Sequence, residues 1–231
     1  MPRRIGTEVE WGMSHVPTLA EESRLNGQGY HLIAGIDEVG RGPLAGPVMA
    51  GAVILHRDAH YPWLDQVRDS KELTAKAREQ LFDHIARDAV SWGVGVTTSE
   101  VIDDQGIARA THLAMRQAVS RLKPPPDFLL IDAVRLLEVN IPQRSIIKGD
   151  RLCASIAAAS IMAKVSRDRL MCELDGEFPG YGFAQHKGYG TAEHFDSLRR
   201  LGPCSIHRRS FSPVKDMVSG LLPCGIDVPE T

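Results

Sequence analysis

The chain has 231 residues, of which 43% are hydrophobic and 24% are charged, an ordinary globular composition with enough apolar material for a core. The formal net charge of −2 excludes a whole-molecule field that attracts nucleic acid, so such a partner would need local basic patches or metal. The longest uncharged apolar stretch, residues 152–163, is shorter than the roughly 20 residues that span a bilayer, so no membrane partner is predicted.

The predicted elements, taken in chain order, begin with residues 1–30, which we expect to form a variable arm. The predicted strands cover, to within a residue or two, residues 32–37, 48–55, 91–97, 128–132 and 144–148. The predicted helices cover residues 75–88, capped by Thr74, residues 106–122, and residues 151–174, capped by Asp150. The short connection between the first two strands predicts an antiparallel hairpin. The helix–strand alternation that follows predicts an α/β fold with a mixed sheet.

The cysteine pattern predicts where the protein works. The four cysteines occur without a C-x-x-C pair or metal-finger spacing, which is typical of free thiols in a reducing cytoplasm. Two of them, Cys153 and Cys172, fall in or near an apolar helix and are predicted to lie in the core. Residues 1–16 lack an apolar segment of the secretory type, so we expect a cytoplasmic protein.

Two adjacent carboxylates, Asp37 and Glu38, follow the apolar run of the first strand. A fold seldom holds two like charges together unless a cation binds them, so the pair favours a metal site. Asp132 ends the apolar strand 128–132, and strand ends are where α/β sheets usually build their sites. Taken alone, an aspartate at a strand end is more often a turn former or a cap.

A polar stripe runs along the longest predicted helix. Ser160, Lys164 and Asp168 repeat every four residues and therefore share one helix face. Small residues at 154 and 157–159 would let this helix lie close to the sheet and bring Asp168 to the other acids. The alternative is a simple i,i+4 ion pair between Lys164 and Asp168, with lysine on the less favourable N-terminal side.

A glycine-rich loop follows the acidic pair. Gly40 and Gly42 flank Arg41, and bare glycine backbone lets a ligand approach the N–H groups closely. Such a loop can hydrogen-bond a sugar hydroxyl while the arginine binds a phosphate, although hairpin loops also use glycine for turn geometry alone. A basic stretch at 199–215 is a further candidate contact for nucleic acid, or an ordinary solvated surface.

Seven motifs occur in an order typical of one family. They are IDEVGRGPLAGPV at 36–48, DSKEL at 69–73, LIDA at 130–133, KGD at 148–150, SIAAASIMAKVSRD at 155–168, HKGYGT at 186–191 and HRRSF at 207–211. On these motifs the chain resembles the ribonuclease HII family, the type 2 ribonucleases H, from about residue 31 to about residue 215. The resemblance implies a ribonuclease H-like mixed β-sheet flanked by helices, with a catalytic domain at 31–200 and a helical C-terminal extension at 201–231.

The resemblance also implies a metal-dependent active site. Its metal ligands correspond to Asp37, Glu38 and Asp132, with Asp168 as the fourth acid, and all of these are expected to be catalytic. Carboxylate oxygens suit the hard cations Mg²⁺ and Mn²⁺, and we expect two such ions when substrate is bound. Two ions of this kind can hold both the attacking and the leaving oxygen of a phosphoryl displacement.

The implied substrate is duplex DNA containing ribonucleotides, or an RNA–DNA hybrid. The loop of Gly40, Arg41 and Gly42 would grip a ribonucleotide on the 5′ side of an RNA–DNA junction, and Tyr189 would pack on the following deoxyribose. Lys71 and Lys187 are candidate phosphate contacts. The expected reaction cuts the phosphodiester 5′ to the ribonucleotide and leaves 3′-hydroxyl and 5′-phosphate ends. We expect a monomer that removes misincorporated ribonucleotides from DNA.

Two other functions stay open on the sequence. Enzymes of the ribonuclease HIII type prefer longer RNA runs, but they carry an additional N-terminal domain, and an arm of about 30 residues is too short to fold alone. They also lack the Gly-Arg-Gly loop. A non-catalytic module that binds RNA–DNA hybrids would tolerate loss of metal ligands, whereas all four acids are present here.

Overall fold

The computed structural model describes residues 16–56, 59–67 and 73–221. The strands of this part are β1 (Ile33–Val39), β2 (Val48–Ile54), β3 (Ser91–Thr97), β4 (Phe128–Asp132) and β5 (Gln143–Ile146). Its helices are α1 (Ala20–Asn26), α2 (Ala75–Asp88), α3 (Ser99–Gln105), α4 (Ile107–Ser120), α5 (Ala154–Glu177), α6 (Phe183–His186), α7 (Ala192–Leu201) and α8 (Val214–Val218). Among these helices, none is long and apolar enough to cross a membrane.

The strands form one sheet in the order β3-β2-β1-β4-β5, with β1 at its centre. β1 pairs antiparallel with β2, which places Asp37 opposite Gly51, and parallel with β4, which places Ile36 opposite Ile131. The predicted hairpin and the mixed α/β sheet are therefore confirmed. Because β1 and β4 run in the same direction, their carboxyl ends, which carry Asp37 and Asp132, meet at one edge of the sheet.

The side chains of β1 alternate between the two faces of the sheet. On one face, Ile36 belongs to a buried cluster that includes Met115 of α4. On the other face lies α5, where the carboxylate of Asp37 accepts a hydrogen bond from the side chain of Ser160. The apolar side of α5 also packs with α2, so the acidic residue of β1 lies beneath a helix that is buried along most of its length.

Glycines let α5 approach the sheet closely. A Cβ added to Gly35 would overlap the backbone of Ser155, and one added to Gly51 would overlap the backbone of Ala159. The small residues predicted along the helix are therefore matched by glycine on the strands beneath it. This close contact fixes the height of Ser160 above Asp37.

The start of α5 differs from the prediction. Its N-cap is Cys153, which makes no side-chain capping hydrogen bond, and the prediction of Asp150 as the cap is wrong. Asp150 lies instead in a 3-10 turn, Gly149–Arg151. The N–H of Gly149 donates to Oδ1 of Asp132 at 2.7 Å, and this bond docks the turn on the end of β4 before the helix begins.

The other predicted helices agree more closely with the structure. α2 begins after Thr74, whose hydroxyl oxygen accepts a hydrogen bond from the N–H of Ala77 at 3.2 Å, as predicted. The helix predicted at 106–122 corresponds to α4. The separate helix α3 before it was not expected, and Gly106, with a φ of +81°, divides the two.

Two expectations about exposure were wrong. Within the basic stretch 199–215, the side chains of His207 and Arg208 are buried rather than displayed to solvent. Of the two cysteines predicted in the core, Cys153 is buried but Cys172 is exposed. In both cases the local sequence carries the residue type but not the tertiary contact that decides its exposure.

Both described ends of the chain pack on the body that holds the sheet. Thr18 forms a β-bridge with Cys153, and Glu22 of α1 is buried, where Oε1 accepts hydrogen bonds from the N–H and Oγ of Ser155 at 2.9 and 2.6 Å. At the other end, α8 buries Val214 in a cluster with Leu44. The domain boundaries at residues 30 and 200 stay a prediction.

The close packing of α5 predicts that Gly35→Ala destabilises the protein. The new methyl group forces a backbone shift, and overpacking typically costs ~1–3 kcal/mol. Gly176→Ala, at a position of α5 where nothing lies within 4 Å of the added methyl group, is the matched control and should be neutral or stabilising, since alanine favours a helix over glycine by up to about 1 kcal/mol. Urea unfolding checks both. Equal effects of the two substitutions would contradict the packing account.

Candidate active site

The acids at the ends of β1 and β4 share one cavity of about 530 Å³. Asp37, Glu38 and Asp132, which are predicted metal ligands, all line it. Its other lining residues are Val39, Arg78, Asp150, Ser160, Lys164 and Tyr189. The cavity therefore combines carboxylates from the sheet with cationic side chains from α2 and α5.

Asp37 is buried beneath α5, with 7% of its surface exposed. Burial raises the pKa of this carboxyl well above its usual value, and the neighbouring charge of Glu38 raises it further. Hydrogen bonds from Ser160 and from the N–H of Glu38, the latter at 2.8 Å to Oδ1, offset this only in part. A cation beside Asp37 would offset both the cost of burying the charged carboxylate and its repulsion by Glu38.

Glu38 has one partnered and one unpartnered oxygen. Its Oε1 accepts a hydrogen bond from Nη1 of Arg41 at 3.2 Å. Its Oε2 is buried and has no hydrogen-bond partner among the described residues. A buried polar atom without a partner costs roughly 1–3 kcal/mol, and more when it is charged, so this oxygen marks a position that a cation can fill.

Asp132 is held by the turn that precedes α5. Its Oδ1 accepts the hydrogen bond from Gly149, and the next residue, Ala133, has a left-handed φ of 51°. Within the described ranges, no three His, Cys, Asp or Glu side chains form a ready-made metal-binding cluster. The acids thus share a cavity wall without closing around one point.

Asp168 occupies a different place from the other three acids. Its Oδ1 lies 2.7 Å from Nζ of Lys164, and its Oδ2 lies 3.7 Å from Nη2 of Arg78. It lines an adjoining cavity of about 370 Å³, which shares Arg78 with the acidic cavity. The structure therefore places Asp168 beside the acidic cavity with both oxygens near cations, and the i,i+4 ion pair left open by the sequence is formed.

Tyr189 lines the acidic cavity, and we call this residue together with the glycine loop beside it the rim. Arg41 and Gly42 are exposed, and a Cβ built on Gly42 would stand 4.0 Å from Cε1 of Tyr189. The Tyr189 ring is 38% exposed, and the buried guanidinium of Arg167 lies 5.9 Å from its centre. A cation near the ring face stabilises the aromatic side chain in place.

Of the two predicted phosphate contacts, Lys187 and Lys71, the structure describes only Lys187. Lys187 lines the adjoining cavity, where its ammonium donates to the carbonyl of Ala184 and to Sγ of Cys172, the latter at 3.3 Å. Its contact with a phosphate stays a prediction. Lys71 lies outside the described residues, together with most of the DSKEL motif.

Five lining residues were not predicted as site residues, namely Val39, Arg78, Asp150, Ser160 and Lys164. Ser160 could have been found from the polar stripe that it shares with Lys164. Asp150 belongs to a recognised motif but was assigned to a helix cap. Arg78 has no local signal, since only the packing of α2 against α5 brings it to the cavity.

Comparison with known proteins agrees with this geometry. The family model for ribonuclease HII matches residues 34–214. A curated ribonuclease HII of Dehalococcoides mccartyi is 55% identical over 205 residues, which cover 89% of this chain and 97% of that protein. This chain belongs to the ribonuclease HII family. It is therefore a ribonuclease H, a hydrolase that acts as an endonuclease on nucleic acid, as the motifs predicted.

Solved structures confirm the ribonuclease H-like fold of this family member. Ribonuclease H2 from Pyrococcus horikoshii OT3 matches with a TM-score of 0.70 at 25% identity, over 81% of this chain and 97% of that one. Bst-RNase HIII in complex with Mn²⁺ matches with a TM-score of 0.60 at 19% identity, over 82% of this chain and 70% of that one, and shows the fold alone.

In this ribonuclease HII, a buried pair of histidines supports the rim. Nδ1 of His194 is bonded to the carbonyl oxygen of Tyr189 at 2.9 Å, and its Nε2 lies 3.0 Å from Nε2 of His207. Burial lowers the pKa of His194 to about 4 and the pKa of His207 to about 3. Both rings are therefore neutral at neutral pH, where suitable tautomers supply one N–H donor and one bare acceptor for the bond between them.

Acid should destabilise the protein through this pair. The unfolded chain binds the two protons near an ordinary histidine pKa of 6.5, whereas the folded protein binds them only near pH 3–4. The unfolded state therefore gains protons first, and stability falls as the pH drops from about 6.5 toward 4, by up to about 1.4 kcal/mol per pH unit for each ring.

The variant His207→Gln should lose stability less steeply than the wild type over this pH range, because one of the two rings no longer titrates. Urea unfolding at a series of pH values measures the slope. His60→Gln replaces an exposed histidine and should keep the wild-type slope. A slope for His207→Gln equal to that of the wild type would contradict the role given to the pair.

Proposed function

We propose that this enzyme hydrolyses the phosphodiester on the 5′ side of a ribonucleotide embedded in duplex DNA and also cuts the RNA strand of RNA–DNA hybrids. The products would carry 3′-hydroxyl and 5′-phosphate ends, and the biological role would be removal of ribonucleotides from DNA. One observation carries the proposal: Tyr189 lines the same cavity as the three acids of the strands, and the glycine loop lies beside Tyr189. A ribonucleotide-directed nuclease needs both in reach of one nucleotide.

The proposed cofactor is Mg²⁺ or Mn²⁺, held by Asp37, Glu38 and Asp132. The donor set is all carboxylate oxygen, which these hard cations prefer, and Oε2 of Glu38 is a buried oxygen without a partner in the described chain. When bound, two such ions would supply an activated water and a stabilised 3′ leaving oxygen. The Mn²⁺ complex of Bst-RNase HIII, a relative in fold, supports this choice of ion.

Asp168 is proposed as the fourth acid. Because Lys164 and Arg78 lie close to its two oxygens, it would have to give up one of these contacts to approach a metal ion. Lys164 and Arg78 also line the acidic cavity, where they can offset the charge of an entering phosphate. The ion pairs would thus hold Lys164, Arg78 and Asp168 beside the metal-binding residues.

The proposed substrate contacts come from the rim. Exposed N–H groups of the Gly40–Gly42 loop would bind the ribose hydroxyl, and Arg41 would contact a phosphate. Tyr189 would pack on the next deoxyribose, where a 2′-hydroxyl fits poorly beneath the ring. Lys71 and Lys187 are proposed to bind flanking phosphates. With a net charge of −2, these local contacts and the metal must hold the nucleic acid.

The alternatives left open by the sequence have less support. A ribonuclease HIII-type enzyme is disfavoured because the matching family model is that of ribonuclease HII. A non-catalytic binding module would not need a buried Asp37 beside Glu38, since the desolvation of Asp37 and the repulsion between the two acids cost stability. A monomeric state and a cytoplasmic location stay predictions from the sequence.

A duplex with a single ribonucleotide tests the proposed reaction. In the presence of Mg²⁺, we expect one cut on the 5′ side of the ribose, with 3′-hydroxyl and 5′-phosphate ends. Without a divalent ion, we expect no cut. Denaturing gels with mapped size markers measure the position. Cutting on the other side of the ribose, or cutting without metal, would refute the proposal.

Replacing Asp37 by Asn should reduce cleavage by more than about 100-fold, because even changes behind a metal's direct ligands cost about 10–100-fold. The substitution removes a buried charge, so the fold should be retained, which circular dichroism checks. The matched control is Asp196→Asn, at an exposed acid of α7 that pairs with Arg199, and its activity should stay within about twofold of wild type. Unchanged cleavage in Asp37→Asn would refute the role of this acid.

A further inference from the structure

Arg208 lies between α7 and α8, and its side chain is completely buried. Burial lowers the pKa of its guanidinium to about 9, and the nearby charge of Arg167 contributes. Burying such a group is costly unless its N–H donors meet acceptors, so the fold must supply them. Arg208 is not among the residues that line the acidic cavity.

The carbonyl oxygens of the glycine loop supply these acceptors. Nη1 of Arg208 donates to the carbonyl of Arg41 at 2.8 Å, and Nη2 donates to the carbonyl of Gly40. Nε and Nη2 donate to the carbonyl of Gly46 at 3.1 and 3.0 Å. The backbone N–H of Arg208 adds a bond to the carbonyl of Leu44 at 2.8 Å. One arginine therefore ties together both ends of the segment 40–46.

The direction of these carbonyls fixes the N–H groups that follow them. In a planar trans peptide, the C=O of one residue and the N–H of the next point in opposite directions. Because the carbonyls of Gly40 and Arg41 point toward the guanidinium, the N–H groups of Arg41 and Gly42 point away from it. Both residues are exposed, and in the described part of the chain neither N–H donates a hydrogen bond. The rim thus presents two adjacent donors beside Tyr189.

We propose that Arg208 is a positioning residue that aims the N–H groups of Arg41 and Gly42 at the 2′ oxygen of the substrate ribonucleotide. This inference rests on the proposed function and adds to it a residue from the C-terminal part of the chain. A deoxyribose in the same place offers no 2′ oxygen, so its binding covers the donors without pairing them, and that cost discriminates against DNA. Without Arg208 the loop loses the fixed direction of its donors, and the discrimination falls.

A lysine at position 208 keeps the positive charge but loses the geometry. Its ammonium is a single nitrogen, whereas the guanidinium spreads five N–H donors over a planar fork. Lysine therefore cannot bond the carbonyls of Gly40, Arg41 and Gly46 at the same time. The matched control is R109K, the same substitution at an arginine of α4 whose side chain is exposed.

Steady-state kinetics separate positioning from stability. KM is measured for a duplex with one ribonucleotide, and Ki for the corresponding all-DNA duplex as a competitive inhibitor. Both constants are independent of the fraction of enzyme that is folded, whereas the apparent kcat is not. For R208K we expect KM to rise about tenfold with Ki within about twofold of wild type, the effect of losing about one hydrogen bond to the 2′ oxygen. For R109K both constants should stay within about twofold.

Proportional increases of KM and Ki in R208K, or no change in either, would overturn the inference. If R208K does not fold, Gly42→Pro removes one of the two donors at an exposed position. It must then raise KM and leave Ki unchanged, and an unchanged KM would equally overturn the inference. A wild-type enzyme whose KM and Ki are equal, or that does not cut the ribonucleotide duplex, would instead refute the proposed function.

Discussion

The placement of two adjacent carboxylates, the buried Asp37 and the half-buried Glu38, is the constraint on which the rest of the site depends. Because the side chains of β1 alternate, the core side chain of Ile36 places Asp37 on the opposite face, beneath α5, and Glu38 follows near the end of the strand. The protein offsets their charge only in part, through Arg41 on Glu38 and a hydrogen bond from Ser160 to Asp37. The two cationic side chains that line the cavity, Arg78 of α2 and Lys164 of α5, lie close to a different acid, Asp168. An unbalanced negative cavity of this kind is stabilised by a bound cation.

The loop beside the acids is held by buried positive charges that are paired with backbone carbonyl oxygens. Two buried arginines from distant parts of the chain, Arg167 and Arg208, donate to backbone carbonyls rather than to the acids. Arg167 binds the carbonyls of Ala45 and Pro47, and Arg208 binds those of Gly40, Arg41 and Gly46. Because the carbonyls of Gly40 and Arg41 are bonded to Arg208, the N–H groups of Arg41 and Gly42 face outward. The two buried arginines thus fix the uncharged backbone of the loop, while the carboxylates of Asp37 and Glu38 stay available to a metal ion.

The sheet and the acid pair could be predicted because their signals are local. The apolar runs and turn residues of β1, β2 and β4 lie within short stretches, and two adjacent acids after an apolar run are unusual on their own. Arg78, Arg208 and α3 could not be predicted, since their roles depend on which elements pack against them. Asp150 shows the limit clearly: the residue suits a helix cap, but a backbone bond to Asp132 moved the helix start.

The most direct test of the central claim is a titration with Mn²⁺, followed by the electron paramagnetic resonance signal of the free ion. If the carboxylates of Asp37 and Glu38 form the cation site, wild-type protein removes Mn²⁺ from solution, and Glu38→Gln binds it at least about tenfold more weakly, since one ligand charge is lost. Equal binding curves for the two proteins would contradict the account, because the unpartnered Oε2 of Glu38 would then contribute nothing to metal binding.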